Sequence, residues 1–437
     1  MLAILNTRRD LRRTMLSFKI VSSRKEKIAV TRRGESESHA EREAFSDFIS
    51  ENSGIYGADK TSFVKGFLRR TAREPHYKSA VGIFATVSVV IGLIFFVLGF
   101  FYGKNTDGKL LGAFETAIQA ICLTIPFSAF ISYSLPVYKA SKKAFDADSA
   151  IIGEFSLEEY ADATVISFDD KEVFPSSGVR VRSLKLYGDS RIDHVLFGAA
   201  SVFHKLGGPL DDVFSVATKE SGYTDGVDIL EIENDGVEAA VKGALVHVGG
   251  STFMKERGLL PSVDPEDEAI EMEGRMSVMY LAIGGVLAAK MHVEYKPDKE
   301  IQSIMASLYK AGMCIGIRTL DPNIDDKMLR SHVDLSKYPV KVLRMDRAER
   351  EENEEIDSGV VSKGKVKDLL KTLTSCRKVL QVIKANTAIK IIAILAGAGL
   401  AALILFTGLT GRATSLWLTV YQLFAMLPIA LVSLIFA

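Results

Sequence analysis

The chain has little cysteine and no excess charge of either sign. Its 437 residues include three isolated cysteines, Cys122, Cys314 and Cys376, and the charged residues balance to a formal net charge of +0. The cysteine spacing provides no pair for a disulfide framework or a metal site, so we expect reduced thiols. The balanced charge gives no reason to expect nucleic acid as a partner.

What the chain does have is apolar length, concentrated in four runs. Residues 80–101 carry no charge, and a helix that crosses a bilayer takes roughly 20 residues. A second run, 110–137, holds one acid near its start, and two more, 391–407 and 413–437, are nearly free of charge. This pattern predicts an integral membrane protein with four transmembrane helices in two helical hairpins.

Basic residues flank these runs unevenly. Arginines are frequent in the first 78 residues, and Lys139, Lys142 and Lys143 follow the second run, whereas the hairpin tips hold few cations. The positive-inside rule therefore predicts a cytoplasmic N-terminus, middle segment and C-terminus. We expect the plasma membrane as the location and membrane lipid as a partner. Because the first run begins well inside the chain, a span is favoured over a cleaved signal peptide.

The middle of the chain alternates strand-like and helix-like stretches. "ATVISF" and "VRVRSLKLY" are typical of strands, while "DKEIQSIMASLYKAG" has the spacing of an amphipathic helix. This alternation predicts a cytoplasmic α/β domain with a partly parallel sheet. Residues 1–78 are interpreted as a basic cytoplasmic segment. Residues 346–386 are interpreted as an acidic loop followed by a basic stalk helix.

Short polar stretches end several of these elements. An apolar strand runs into "SFDDKEVFP", a second ends in "HVGGS", and a third ends in "RTLDPN". In the second apolar run, "ICLTIPFSAF" contains a proline, which lacks a backbone donor and leaves helix carbonyls open. Carboxylates at strand ends and opened carbonyls in a membrane are both candidate sites of chemistry.

The order of these stretches resembles the back portion of a P-type ATPase, most nearly the heavy-metal-pump branch, over residues 79–437. The resemblance implies a haloacid-dehalogenase-like α/β domain with an α+β nucleotide-binding-like insertion. The implied boundaries are transmembrane hairpins at 79–137 and 387–437, the two parts of the α/β domain at 138–183 and 278–345, and the insertion at 184–277.

The family's phosphorylation signature DKTGT is matched only at its start. The resemblance implies Asp170 as the nucleophile that forms an aspartyl-phosphate, with Lys171 beside it and Asp169 as a second candidate. Residues 172–174 are Glu, Val and Phe where the family has Thr, Gly and Thr. Polar donors are thereby lost and a negative charge is added where a polyanion must bind.

Other family motifs are altered or missing. Asp321, with Thr319 before it, matches the aspartate of TGDN, so the resemblance implies Asp170 and Asp321 as Mg²⁺ ligands. The GDGxND motif that holds Mg²⁺ has no counterpart, and the acids nearest to its place are Asp325 and Asp326. The tripeptide 34–36, Gly-Glu-Ser, resembles part of the actuator loop TGES, but we interpret the match as accidental.

The nucleotide and ion sites of the family are also only partly matched. The resemblance implies a role in nucleotide binding for His204 and for the turn Gly249, Gly250 and Ser251. The family's His-Pro pair is split here, because four residues separate His204 from Pro209.

For the ion pathway the resemblance implies Pro126 and Cys122. The residues that flank the proline, Ile125 and Phe127, cannot ligate a soft cation, as the cysteines of metal pumps do.

Three readings follow from this pattern. The favoured one is a catalytically degenerate, P-type-ATPase-like membrane scaffold or regulatory subunit. The second is an active ATP-driven cation transporter that uses ATP and Mg²⁺, or half of a split pump whose actuator domain comes from a second polypeptide. The third is the truncated product of a once longer gene.

Overall fold

Helices form along the apolar and amphipathic stretches, and strands along the β-branched ones, in a computed structural model of the chain. The model describes residues 2–32, 54–103, 108–125, 127–161, 163–219, 222–260, 262–344, 355–409 and 414–436. The helices are α1 (Leu2–Val21), α2 (Phe67–Ala72), α3 (His76–Tyr102), α4 (Lys109–Thr124), α5 (Ala129–Ser132), α6 (Ser134–Asp146), α7 (Phe155–Ala161), α8 (Asp170–Val173), α9 (Ile192–Leu206), α10 (Pro209–Ala217), α11 (Ser251–Glu256), α12 (Pro265–Glu273), α13 (Lys299–Lys310), α14 (Asp326–Ser331), α15 (Val366–Thr407) and α16 (Ser415–Phe436). The strands are β1 (Lys27–Arg32), β2 (Gly54–Thr61), β3 (Phe63–Lys65), β4 (Ser149–Ile151), β5 (Ala163–Asp169), β6 (Val179–Leu186), β7 (Val227–Ile232), β8 (Gly236–Val241), β9 (Ala244–Gly249), β10 (Met276–Ile283), β11 (Val286–Tyr295), β12 (Cys314–Arg318), β13 (Val340–Leu343), β14 (Glu355–Asp357) and β15 (Val360–Ser362).

The chain divides into two compact units. The membrane unit comprises Met1–Ala29, Thr61–Asp162 and Glu355–Ala437, and the α/β unit comprises Val30–Lys60 and Ala163–Glu354. All of the predicted catalytic and nucleotide-binding residues fall in the α/β unit, and the predicted ion-pathway residues fall in the membrane unit.

Three helical segments among the described residues are long and apolar enough to cross a membrane. They are Phe67–Tyr102, Val366–Thr407 and Ser415–Ile435. The prediction of an integral membrane protein is confirmed. The second apolar run, 110–137, is not one helix, because α4 ends at Thr124 and the next residue, Ile125, has extended backbone angles. The fourth transmembrane helix therefore stays a prediction.

Small residues let helices α3 and α4 of the membrane unit approach closely. A Cβ atom on Gly99 of α3 would lie 3.1 Å from the Cα atom of Ala113 in α4. A Cβ atom on Gly92 would lie 2.4 Å from a side-chain atom of Ile121. Helix association in lipid depends on such close packing, since lipid tails are as apolar as leucine.

The N-terminal residues of the membrane unit are part of its packed core. Helix α1 buries Ile20 against Ala150 and Val361 of two short strands, β4 and β15. Arg13 of α1 forms a buried ion pair with Glu154 at 3.1 Å. Strand β1 pairs antiparallel with β15 through Ile28 and Ala29.

The α/β unit contains a parallel sheet in the strand order β13, β12, β5, β2. Cys314 of β12 lies opposite Val165 of β5, and Arg318 lies opposite Asp169. Parallel strands end at the same edge of a sheet, so the loops after β5 and β12 meet there. This edge carries the two predicted acids, Asp170 and Asp321.

The insertion is a six-stranded antiparallel sheet in the order β6, β11, β10, β9, β8, β7. Strands β10 and β11, which we assigned to the second part of the α/β domain, pair with β9 and β6 of this sheet. The boundary at residue 277 is therefore corrected, since the sheet includes residues 179–295. The two strands turn at Gly284 and Gly285, both with positive φ, as a two-residue hairpin requires.

Candidate active site at the strand edge

The strand-end acid Asp169 is paired rather than available. Its Oδ1 atom lies 3.0 Å from Nη2 of Arg318, the residue opposite it in β12. Arg318 is only 2% exposed, so its charge needs this partner. The pair joins the ends of the two central strands.

Asp170, the predicted nucleophile, points into the protein. Its side chain is buried, with the residue 1% exposed, and its Oδ2 atom accepts a hydrogen bond of 2.6 Å from the hydroxyl of Thr319. Its Oδ1 atom accepts one of 2.7 Å from the backbone N–H of Lys171. Both carboxylate oxygens are thus engaged, and an incoming phosphate would have to displace the threonine to reach them.

Lys171 is directed to a different acid. Its Nζ atom lies 3.0 Å from Oδ1 of Asp212 in α10, in a partly exposed ion pair. Because the ammonium of Lys171 is paired with Asp212, it contributes less positive charge beside Asp170.

Asp321 lies on the same buried edge with partners of its own. Its Oδ2 atom accepts a 2.7 Å hydrogen bond from the hydroxyl of Tyr295, and its Oδ1 atom accepts bonds of 3.0 Å from the backbone and side-chain nitrogens of Asn323. Burial, together with the nearby charge of Asp170, raises the pKa of Asp321 to about 6 despite these donors. Burial and the neighbouring Asp321 carboxylate also raise the pKa of Tyr295.

Arg344 connects this edge to the insertion. Its Nη1 atom donates to the carbonyl of Asp321 at 2.7 Å, and its Nη2 atom donates to the carbonyl of Asn234 in the loop between β7 and β8. Burial lowers the pKa of Arg344, although the acids around it act in the opposite direction. Sequence analysis missed Arg344, Tyr295 and Asn323. A charged residue directly after a short strand was the only signal for the arginine.

The residues at this edge are not arranged around a cation. A hard cation such as Mg²⁺ takes ionised oxygen ligands. Each oxygen of Asp170 and Asp321 accepts a hydrogen bond from this chain's own donors, so Mg²⁺ would have to compete with Thr319, Tyr295 and Asn323 for them. Asp325 accepts the backbone N–H of Met328 as the N-cap of α14, and so serves the helix.

A cleft of about 200 Å³ lies between the insertion and the strand edge. Gly250 and Ser251 line it together with Asn323, whereas Gly249 does not. Its charged lining residues are three acids and two bases, namely Asp235, Glu271, Asp325, Arg275 and Lys327. Lys327 is already paired with Glu271 at 3.2 Å. This lining repels a polyanion more than it attracts one.

The Gly-Gly-Ser turn is shaped by packing. A Cβ atom on Gly249 would lie 2.4 Å from the carbonyl oxygen of Asp235 and 2.9 Å from the ring of Phe253. The backbone N–H groups of Gly250 and Phe253 donate to Asp235 at 2.7 and 3.1 Å. Two of the amides at this turn are therefore occupied by this chain's own aspartate.

His204 stands apart from the cleft, in the last turn of α9. Its Nδ1 atom lies 3.2 Å from Asp211, and its ring lies 4.0 Å, centroid to centroid, from that of Tyr223. The structure does not bring His204 together with Gly250 and Ser251.

The break after α4 in the membrane unit is filled by polar side chains. Pro126 lies outside the described residues, but the carbonyls just before it have donors. The side-chain amide of Gln422 donates to the carbonyls of Cys122 and Leu123 at 2.8 and 3.2 Å. The hydroxyl of Ser88 donates to the carbonyl of Thr124 at 3.0 Å.

A lysine is buried in the same helix bundle. Lys390 of α15 is 4% exposed, and its ammonium lies 5.2 Å from the ring of Phe84. In the part of the chain that the structure describes, no group of three His, Cys, Asp or Glu side chains could hold a metal ion. A protonated lysine in this bundle adds positive charge, which repels a cation.

The membrane unit is helical, and the α/β unit holds a parallel sheet with acids at its edge and an antiparallel insertion. The chain is similar to a zinc-transporting PIB-type ATPase, at 12% identity and a TM-score of 0.46, covering 99% of this chain and 86% of that one. A second structure of a zinc-transporting PIB-type ATPase, in the E2.Pi state, is matched at 13% identity and a TM-score of 0.39, over 99% of this chain and 85% of that one. The N-domain of a copper-transporting P-type ATPase is matched at 20% identity and a TM-score of 0.21, over 27% of this chain and 99% of that one. No protein-family model and no curated protein matches the chain.

Proposed function

We propose that this integral membrane protein keeps a P-type-ATPase-like architecture without the phosphorylation cycle, and acts as a scaffold or regulatory subunit. The proposal places it in the plasma membrane, in contact with lipid, with both termini and the α/β unit in the cytoplasm.

The observation that carries the proposal is the closed state of Asp170. A nucleophilic carboxylate needs an exposed oxygen that faces the γ-phosphate. Here one oxygen accepts the Thr319 hydroxyl at 2.6 Å, the other accepts the Lys171 amide at 2.7 Å, and the residue is buried. Opening it would leave a buried hydroxyl or carboxylate without its partner, at a cost of about 1–3 kcal/mol for each group.

The membrane unit supports the same reading. In a cation pump, the carbonyls freed at a helix break are ligands. Here Gln422 and Ser88 donate to those carbonyls, and the ammonium of Lys390 is buried in the bundle. Gln422 and Ser88 supply donors where a cation requires acceptors, and a protonated Lys390 adds positive charge to the same bundle.

The second candidate function is an active, ATP-driven cation transporter that forms an aspartyl-phosphate at Asp170. In one version it is half of a pump whose actuator domain is supplied by a second polypeptide. The observation that favours it is the cleft of about 200 Å³, which lies beside the Asp321 loop and is lined by Gly250 and Ser251.

Acid-quenched labelling distinguishes the two candidates. The full-length protein in detergent is incubated with Mg²⁺ and ATP labelled at the γ-phosphate, quenched in acid, and tested for label that hydroxylamine removes. Asp170→Asn is the test variant, and Asp169→Asn is the matched control at the adjacent position. Far-UV circular dichroism and gel filtration confirm that all three proteins are folded.

We expect no hydroxylamine-labile label in any of the three proteins. A label that is lost in Asp170→Asn and kept in Asp169→Asn would overturn the proposal and establish the active transporter. A label lost only in Asp169→Asn would overturn it as well, and would move the nucleophile to Asp169. The label does not depend on an actuator domain, because the actuator of P-type ATPases removes the phosphate rather than adding it.

A further inference from the structure

A second polar cluster lies on one face of the insertion's sheet, away from the strand edge. Tyr280 of β10, Lys290 and His292 of β11, and Ser183 of β6 lie on neighbouring strands, and Asp267 of α12 is packed onto them. Helix α12 begins at Pro265, with Asp264 as its N-cap, which puts Asp267 in the first turn. Rigid elements therefore position every member of the cluster.

Asp267 is the buried centre of this cluster. It accepts hydrogen bonds from Tyr280 at 2.8 Å, from Lys290 at 2.9 Å on each oxygen, and from Nε2 of His292 at 3.1 Å. Burial acts to raise the pKa of Asp267, but these hydrogen bonds outweigh it and hold the pKa below its ordinary value. The group is an ionised carboxylate that only accepts.

An ionised Asp267 fixes the tautomer of His292. Because the carboxylate can only accept, Nε2 of His292 carries the proton of a neutral ring, and Nδ1 keeps its lone pair. The hydroxyl of Ser183 lies 2.9 Å from this Nδ1 atom and donates to it. Ser183, His292 and Asp267 are thus joined by consecutive hydrogen bonds, and the aspartate orients the imidazole that can act as a base.

A change of strand register creates the contact between the serine and the histidine. Val181 lies opposite Val293, and Ser183 lies opposite His292, so Arg182 has no residue across from it in β11. Such bulges turn a side chain onto a new face and occur often beside active sites. Without the extra residue, the arginine would stand opposite His292.

We propose that Ser183 is an activated nucleophile, with His292 as its general base and Asp267 as the positioning residue, and that it accepts acyl groups from small anionic esters. The hydroxyl of Ser183 is at the surface, where a small ester can reach it. Lys185, two residues further along β6 on the same face, supplies positive charge for an anionic substrate and for the developing oxyanion.

The reaction balances with water as the only other reactant. The Oγ atom of Ser183 forms a bond to the ester carbon while its proton passes to Nδ1 of His292. The bond to the leaving alcohol then breaks, and the alkoxide takes that proton. Water repeats the sequence on the acyl-serine, releases the carboxylic acid and restores the hydroxyl. None of these steps uses Asp170, so this activity and the proposed scaffold function stand or fall separately.

The test is covalent labelling of the full-length protein in detergent with a fluorophosphonate probe. The serine oxygen bonds to phosphorus, fluoride leaves, and the proton remains on the histidine. The labelled residue is identified by peptide mass spectrometry. Ser183→Ala and His292→Gln are the test variants, and Ser177→Ala and His194→Gln are matched controls at exposed positions.

We expect one label on Ser183, absent in Ser183→Ala and unchanged in both controls. His292→Gln should slow labelling by about 100-fold or more, which is the lower end of general-base catalysis. The proposal would be overturned if Ser183 carries no label. It would also be overturned if the labelling rate of His292→Gln equals that of wild type while circular dichroism shows folded protein.

Discussion

Replacing Asp321 with asparagine should become progressively more favourable to stability, relative to wild type, as the pH rises above about 4. In the folded chain, burial beside Asp170 raises the pKa of Asp321 from its ordinary 3.8 to about 6. Between these two values the unfolded chain loses the proton while the folded chain keeps it. The contribution of Asp321 to the free energy of unfolding is therefore at its full value below pH 3.8, and it is lost as the pH rises through 6.

The size of the effect follows from the two pKa values. Each pH unit between them corresponds to about 1.36 kcal/mol, so the group costs the folded state about 3 kcal/mol at pH 7. An asparagine side chain at this position would remove the ionisation, but its single oxygen can serve either Tyr295 or Asn323, so the change of the effect with pH is the quantity to measure. Relative to wild type, Asp321→Asn should gain roughly 6 to 12 °C in Tm between pH 4 and pH 7, for a unit of about 200 residues.

Thermal unfolding of the detergent-solubilised protein, measured in steps from pH 4 to pH 8, tests this expectation. The relevant quantity is the Tm difference between variant and wild type at each pH, since the other titrating groups cancel. Asp334→Asn, which removes an acid at an exposed position, is the matched control. A difference for Asp321→Asn that stays constant from pH 4 to pH 7 would refute the reasoning.

Three further substitutions test the packing described above. Thr319→Val should cost about 1–3 kcal/mol, since it removes a donor from the buried carboxylate at the strand edge, and Thr319→Ser should restore most of it; urea midpoints would show a failure of this rescue. Arg13→Met should cost about 3–5 kcal/mol by leaving Glu154 buried without its partner, and the double variant with Glu154→Gln should recover part of that loss; equal Tm values for single and double variants would contradict it. Gly249→Ala should lower the Tm by several degrees because its Cβ atom would lie 2.4 Å from a backbone oxygen, whereas Gly226→Ala, with nothing nearer than 3.5 Å, should not; equal shifts would contradict the packing argument.

Much of the architecture could be predicted because it depends on local patterns. The membrane helices follow from uncharged apolar length, and the β10–β11 hairpin follows from two strand-like runs around Gly284 and Gly285. In both cases the signal lies within a short stretch of consecutive residues. The approach of the Asp170 and Asp321 loops also depends on the parallel pairing of β5 with β12, which are distant in sequence.

The state of the site depended on residues that are distant in sequence. Thr319 is 149 residues from Asp170, and Gln422 is 300 residues from Cys122, so no local pattern could show that either pair is hydrogen-bonded. The side-chain contact of His292 with Ser183 likewise required the strand register, over a separation of 109 residues.

The sequence by itself determined a membrane protein with acids at strand ends, because hydrophobic length and element order can be recognised along the chain. Only the tertiary structure decided that Asp170 is buried with both oxygens engaged, that Asp321 holds its proton to about pH 6, and that side-chain donors fill the membrane break. Burial and hydrogen bonding depend on which residues lie next to each other in space, and the tertiary fold determines those neighbours.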